Sequence, residues 1–412
     1  PIVNYPVPEQ VTIVLGDLIY FDKEKLSAGL QNQLIQLAAF QNPEFYKAQA
    51  MRRSTYNLSR ILFCSEEFPK HIGLPRGCFP DVEKLFNNLG VKIKIIDERF
   101  KGKSLRVGFK GKLRTQQKHA VKELRKHDIG ILSAATAFGK TVVASKLIAV
   151  RKRNTLILVH RKQLMEQWKE KLSVFLGIDP KEIGLISGSK KHITGKLDVA
   201  VIQSLCRKGV VDDVVAKYGH VIVDECHHVA ALSFEQLMKK VKANYVLGLT
   251  ATPVRKDGHH PIIIMQCGPI RYRYSGKEAT ADSSFKHVVN IKQTGFNIPF
   301  ENEQPALYEI YQKLIADKAR NELICEDILE TLKSNRSPLL LTERTEHLKI
   351  IADLLEGKVK NIIVLKGGMS KKQRDSAYEQ LKNSGKDDER IILATGRYIG
   401  EGFDDARLDT LF

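Results

Sequence analysis

At 412 residues, 43% of them hydrophobic and 27% charged, the chain is too long for one ordinary domain and too apolar to be largely disordered. No apolar run approaches the roughly 18 residues that span a bilayer, and the opening PIVNYPVPEQ lacks a basic region followed by an apolar one, so the sequence reads as that of a soluble protein. The net charge of +19 is uneven: residues 1–112 hold 17 Lys/Arg against 11 Asp/Glu, residues 113–275 hold 28 against 13, and residues 276–412 hold 21 against 23. A cationic excess confined to the first two-thirds favours a polyanionic partner, nucleic acid before a membrane surface, because no basic amphipathic helix accompanies it.

In chain order, Val11–Phe21 predicts a strand pair, and the following DKEKLSAGLQNQLIQLAAF carries apolar residues at helical spacing. Asn42 with Pro43 opens a second helix, LSRILFCSEEF reads as a strand, PDVEKLFNNLG as a helix ending at Gly90, and VKIKIIDERF as a further strand. Residues 1–112 thus form a small α/β accessory domain. Within it Phe40, Phe45, Tyr46, Arg52 and Arg53 mix aromatic and basic character; core aromatics beside a solvated arginine face is preferred over a nucleic-acid clamp.

From Leu113 the texture changes to short apolar strands alternating with helices: GILSAAT, TLILVH, VAVIQSL, VIVDE and YVLGLTAT. Such alternation implies a parallel sheet covered on both faces. Residues 113–275 form one lobe of this kind. Ser275–Ser284 reads as a linker, and residues 276–412 form a second lobe, with a helix over Pro305–Leu332 and strands at SPLLLT, NIIVLKG and RIILAT. The six cysteines show neither a CxxC pair nor zinc-finger spacing and are expected as buried, reduced thiols, which suits a cytoplasmic protein.

AATAFGKT (Ala134–Thr141) lies between a strand and a helix. A phosphate-binding loop needs inward N–H groups, a lysine for the phosphates and a hydroxyl on Mg²⁺. Gly139, Lys140 and Thr141 supply that end, with Ala137 where a glycine is common. VIVDECHH (Val221–His228) delivers adjacent carboxylates to a strand end: Asp224 for Mg²⁺, Glu225 for the attacking water. A metal site from Cys226, His227 and His228 is disfavoured, because neighbours on a strand point to opposite faces.

With the loop, Asp224-Glu225 and GLTATP in this order, the chain resembles superfamily 2 helicases of the DExH kind over about residues 113–412. TATPVRKDG followed by CGPIRYRY is most similar to the xeroderma pigmentosum group B helicase and its phage and bacterial relatives, although Lys256 stands where their RED signature has an acid. LRTQQ resembles the adenine-reading Q motif, through Gln117. LVHRKQLMEQW and DVAVIQSL resemble motif Ia and the segment before motif II, and RIILATGRYIGEGFDD resembles motif V.

The resemblance implies two RecA-like lobes, the second truncated, using ATP and Mg²⁺ in the cleft between them. Lys140 and Thr141 would bind phosphates and metal, Asp224 the metal and Glu225 the water. His227, Thr250 and Thr252 would couple the two sites. Arg161, Gln203, Ser204, Arg255, Thr395 and Gly396 would contact nucleic acid, and Gly402 and Asp404 would face the nucleotide. The partner implied is duplex or branched DNA, with RNA, or an ATP-gated binding subunit without turnover, as the alternatives. Motif VI would follow motif V, so the chain reads as a fragment that binds MgATP and DNA but turns over slowly. Further domains, or a nuclease or primase partner, are expected beyond Phe412.

Overall fold

The computed structural model describes residues 5–188, 190–228, 231–252, 258–276, 278, 288–298, 306–385, 388–396, 405 and 407–412. The chain divides into two compact units, Pro1–Lys286 and His287–Phe412.

The first unit contains two sheets. The N-terminal sheet is formed by β1 (Gln10–Leu15), β2 (Leu18–Asp22), β3 (Glu66–Glu67), β4 (His71–Pro75) and β5 (Lys92–Asp97), in the order β3-β4-β2-β1-β5. Only the β1–β5 pair is parallel; the predicted hairpin at Val11–Phe21 is present as β1 and β2. Helices α1 (Ala28–Leu37) and α3 (Phe79–Asn88) cover it, burying Leu30, Leu34, Val82 and Phe86. Between them α2 (Pro43–Ala50) begins as predicted at Asn42, whose side-chain oxygen accepts the Glu44 N–H at 3.0 Å.

The central sheet has eight strands: β6 (Ile129–Ala134), β7 (Thr155–Val159), β8 (Gly184–Ser187), β9 (Lys190–His192), β10 (Leu197–Val201), β11 (His220–Val223), β12 (Tyr245–Thr250) and β13 (Ile270–Tyr274). Their order is β9-β8-β10-β7-β11-β12-β6-β13, and all pairs are parallel except β8–β9. Helices α4 (Thr115–Leu124), α5 (Lys140–Arg151) and α6 (Lys162–Leu176) pack on one face. Side-chain alternation assigns the faces. Ile157 and Val159 join Leu147, Trp168 and Leu172 on that side, while Leu156 and Leu158 join the opposite one.

That opposite core does not stop at the sheet. It continues through α8 (Ala231–Met238) and α9 (His260–Cys267) into Ile13, Leu30 and Phe86 of the N-terminal module. A buried arginine joins the two: Arg76 is 5% exposed and its Nη1 donates to the Ala243 carbonyl at 2.5 Å. Burial pushes its guanidinium down to about 10. Beside it Gly77 meets α9 backbone to backbone, since a Cβ there would lie 2.1 Å from the Ile264 carbonyl oxygen.

The second unit is a parallel sheet of β14 (Pro338–Thr342), β15 (Ile362–Leu365), β16 (Ile391–Thr395) and β17 (Thr410–Leu411), in the order β15-β16-β14-β17. One face packs on α11 (Lys318–Lys333) and α12 (Thr345–Leu355), the other on α13 (Lys371–Asn383). The single helix predicted over Pro305–Leu332 is two, α10 (Leu307–Ala316) and α11. Asp317 separates them: its backbone is extended and its carboxylate caps the Arg320 N–H at 3.0 Å, a local bond that competes with helix continuation. The linker expected at Ser275–Ser284 lies mostly outside the described residues.

Candidate active site

Three parallel neighbours, β11, β12 and β6, end on the same edge of the central sheet, and each releases a segment carrying polar side chains there. Ligands of open parallel sheets gather at such carboxyl ends. After β6 the chain turns through Ala135–Gly139 into α5. Gly139 has φ 85°, a left-handed conformation that favours glycine, and Ala137 adopts φ 65° although it bears a side chain.

The turn is held from outside by α4. Gln117, 3% exposed, donates through Nε2 to the Phe138 carbonyl at 2.7 Å and accepts the Arg114 N–H at 2.9 Å. Arg114 Nη2 donates to the Ala137 carbonyl at 3.0 Å. Both turn carbonyls are thereby pulled towards α4. Gln117 lies at the loop as the motif predicted, and its amide is engaged with the backbone of the turn. Arg114 is a loop-holding residue that sequence reasoning missed; it stands in the same LRTQQ stretch.

Lys140 opens α5 and its ammonium lies 3.0 Å from Glu225 Oε1. It is also 3.4 Å from the Ala134 carbonyl. Thr141 follows it in the first turn of α5, where the helix dipole favours anions. Glu225 leaves β11 with φ 44°, a left-handed bend that turns its carboxylate towards the loop. Its Oε2 is buried, accepts no hydrogen bond, and sits 3.4 Å from His227 Nδ1.

Asp224 is 8% exposed. Its Oδ2 accepts the Trp168 indole N–H at 2.6 Å and its Oδ1 accepts the Glu225 N–H at 3.0 Å. Burial, and then the adjacent Glu225 charge, push the Asp224 carboxyl up to about 6, against the opposing pull of Trp168 and Lys140. Trp168 was read only as helical; nothing in local spacing reveals a partner 56 residues away.

The coupling candidates meet. Thr250 Oγ1 lies 2.9 Å from His227 Nδ1, accepts the Thr252 N–H at 3.1 Å and donates to the Thr252 carbonyl at 2.8 Å. His227 therefore touches both Glu225 and the end of β12. Cys226, by contrast, is buried in the core, and its thiol is pushed well up by that burial.

The nucleic-acid candidates are more scattered. Arg161, at the N-cap of α6, and Gln203, in the short turn Ile202–Leu205 after β10, are both exposed. Ser204 is buried and its hydroxyl accepts the Gly188 N–H at 2.8 Å. In the second unit Thr395 ends β16, buried, and Gly396 follows it, exposed, donating to the Thr342 carbonyl at 3.1 Å. Arg255, Gly402 and Asp404 lie outside the described residues. Among the described residues no helix is long and apolar enough to cross a membrane.

The donor set fits a magnesium nucleotide. A left-handed glycine turn, a lysine and a hydroxyl at a helix N-terminus face two carboxylates, one of them holding a buried oxygen that accepts no hydrogen bond.

Comparison with known proteins agrees with this geometry. Residues 110–255 match the family model described as the type III restriction enzyme, res subunit. The chain is 32% identical over 205 residues to the DNA 3'-5' translocase XPB2 of Sulfurisphaera tokodaii, covering 50% of this chain and 44% of that protein. It is 29% identical over 320 residues to "Putative helicase 161L" of Invertebrate iridescent virus 6, covering 74% of this chain and 70% of that one. Among solved structures, S. cerevisiae Dbp5 bound to RNA and ADP BeF3 has a TM-score of 0.50 at 14% identity, over 73% of this chain and 74% of that one, a likeness of fold. The chain thus spans less than half the length of the archaeal relative. The resemblance to superfamily 2 helicases that the motifs carried is shown by these matches.

Proposed function

We propose that the chain is the motor of an ATP-dependent DNA helicase or translocase acting on duplex or branched DNA. The observation that carries this reading is the convergence of Lys140, Asp224 and Glu225 at one edge of the sheet, with His227 linking Glu225 to Thr250. Lys140 and Thr141 take the phosphates and Asp224 holds Mg²⁺, which when bound neutralises charge on the phosphate oxygens. Glu225 orients the attacking water and accepts its proton; the buried Oε2 is suited to that because no donor occupies it.

Gln117 and Arg114 act on the turn, holding its carbonyls away from the phosphates. His227, Thr250 and Thr252 connect the water-activating carboxylate to the segment that leaves β12, so a change at the nucleotide reaches nucleic acid through that segment. The cationic excess of residues 1–275 supports nucleic acid as the polymer, and the archaeal relative's name supports DNA. Retention of Lys140, Thr141, Asp224 and Glu225 together weighs against a binding subunit without turnover. The six free cysteines support a reducing, intracellular setting.

The test is ATP turnover with no polymer, duplex DNA, single-stranded DNA and RNA at matched salt, with Lys140→Ala as the blank. Stimulation greatest with duplex DNA and absent from the blank supports the reading. Stimulation by RNA alone replaces the substrate, and turnover in the blank equal to wild type refutes the site.

A further inference from the structure

Residues 42–63 leave the N-terminal module as an arm. Its root is an ordered two-stranded ribbon, Ala39–Gln41 paired antiparallel with Ile61–Phe63. Asn42 clamps the two ends: its N–H donates to the Arg60 carbonyl at 2.9 Å and its Nδ2 to the Ser59 carbonyl at 2.8 Å. Phe45 is buried and anchors α2 beneath the Arg60 guanidinium, 5.4 Å from its ring centroid.

Almost everything else on the arm faces outward, against the expectation that its aromatics are core. Tyr56 is 94% exposed, Tyr46 40% and Met51 52%. Lys47, Arg52, Arg53 and Arg60 are exposed beside them, and Glu44 is the one acid between residues 42 and 63. Exposed rings interleaved with cations are poor at burying a protein's apolar core and well suited to a polymer with π-faces and phosphates.

The arm's root lies beside the segment that leaves the active site. A Cβ on Gly258 would lie 2.6 Å from Pro43 Cγ, and Phe40 meets the His259 ring edge-on at 6.1 Å between centroids. Residues 258 and 259 follow Thr250 and Thr252 at the carboxyl edge of the central sheet, so the arm stands at the edge where the catalytic side chains gather.

We infer that this arm binds unpaired nucleotides, with bases stacking on Tyr46 and Tyr56 and phosphates held by Lys47, Arg52, Arg53 and Arg60. The inference rests on the proposed nucleic-acid motor and deepens it: the arm gives the chain a preference for duplexes that carry a single-stranded tail or branch. A duplex alone keeps its bases stacked on one another and offers the tyrosines no ring face.

The experiment compares binding of fluorescent blunt duplex and of the same duplex with a tail of about ten nucleotides, long enough to cross one such platform. It uses the full chain at matched salt, alongside the turnover each DNA stimulates. Wild type should prefer the tailed duplex. Tyr46→Ala/Tyr56→Ala should lose about five- to tenfold in tailed affinity per stacked base while keeping blunt-duplex affinity and blunt-duplex turnover within about twofold. Tyr46→Phe/Tyr56→Phe should restore the preference, because a phenyl ring stacks and a lost hydroxyl does not matter. Tyr56→Ala alone, at a nearly fully exposed position, guards against misfolding of the double variant.

No tailed preference in wild type, or a tailed affinity unchanged in both alanine variants, overturns the arm as a nucleic-acid site and leaves its exposed rings to a protein partner. If no nucleic acid stimulates wild-type turnover, the motor reading itself fails; stimulated turnover with unaffected variants sinks the arm alone.

Discussion

Asp224→Asn should make the nucleotide-free protein more stable at neutral pH while destroying its activity. Folded, the Asp224 carboxyl titrates at about 6, against an ordinary value near 4, so its native form binds a proton more readily than its unfolded form. Below pH 4 the group is neutral in both states and costs nothing. As pH rises through 6 the native state must carry a buried, unfavourable charge, and about two units at 1.36 kcal/mol each amount to about 3 kcal/mol of lost stability. The asparagine removes that cost but can accept only one of the two N–H groups, from Trp168 and Glu225, that the carboxylate accepts. Losing one such bond returns about 1 kcal/mol, which leaves a net gain of about 2 kcal/mol at pH 8 and none near pH 4.5.

Trp168 is the chain's single tryptophan, is 2% exposed and bonds directly to Asp224, so its fluorescence follows unfolding of the first unit. Urea curves for wild type and variant at both pH values, with magnesium chelated, provide the assay. An equal midpoint at pH 8, or the same gain at both pH values, would refute the electrostatic reasoning.

Lys140→Ala should destabilise the first unit by about 3 kcal/mol as well as abolish turnover, because Glu225 is left buried without its cation; Lys140→Ala/Glu225→Gln should recover most of that loss in the same urea assay. Gly77→Ala should cost at least about 2 kcal/mol, since its Cβ would collide with the α9 backbone; an unchanged urea midpoint would show that the contact yields. Thr250→Val keeps the side-chain shape but loses the His227 and Thr252 bonds. Polymer-stimulated turnover should fall about tenfold with MgATP affinity retained, and an unaltered stimulated rate would remove Thr250 from the coupling path.

The parallel-sheet architecture was legible because fully buried strands such as TLILV and HVIV read as short apolar runs between helical stretches. Lys140 and the Asp224-Glu225 pair were legible for a related reason: each sits within a few residues of a strand end, so local sequence carries the whole signal. What escaped depends on long-range packing. Trp168 reaches Asp224 only once α6 folds back on the sheet, and Arg114 grips carbonyls more than twenty residues on. Asp317 broke an apparently continuous helix through a capping bond that periodicity does not register. On the arm, Phe45 and Tyr46 are neighbours of similar apolarity, one buried and one exposed, and only the tertiary fold distinguishes them.

The central claim assigns phosphate binding to Lys140 and water activation to Glu225. The most direct measurement sets MgATP affinity beside turnover for wild type, Lys140→Ala and Glu225→Gln in the presence of duplex DNA. The account predicts that Glu225→Gln binds MgATP as wild type does and loses at least about a hundredfold in turnover, the general-base contribution, while Lys140→Ala loses binding. Wild-type turnover in Glu225→Gln, or undiminished MgATP affinity in Lys140→Ala, would contradict it.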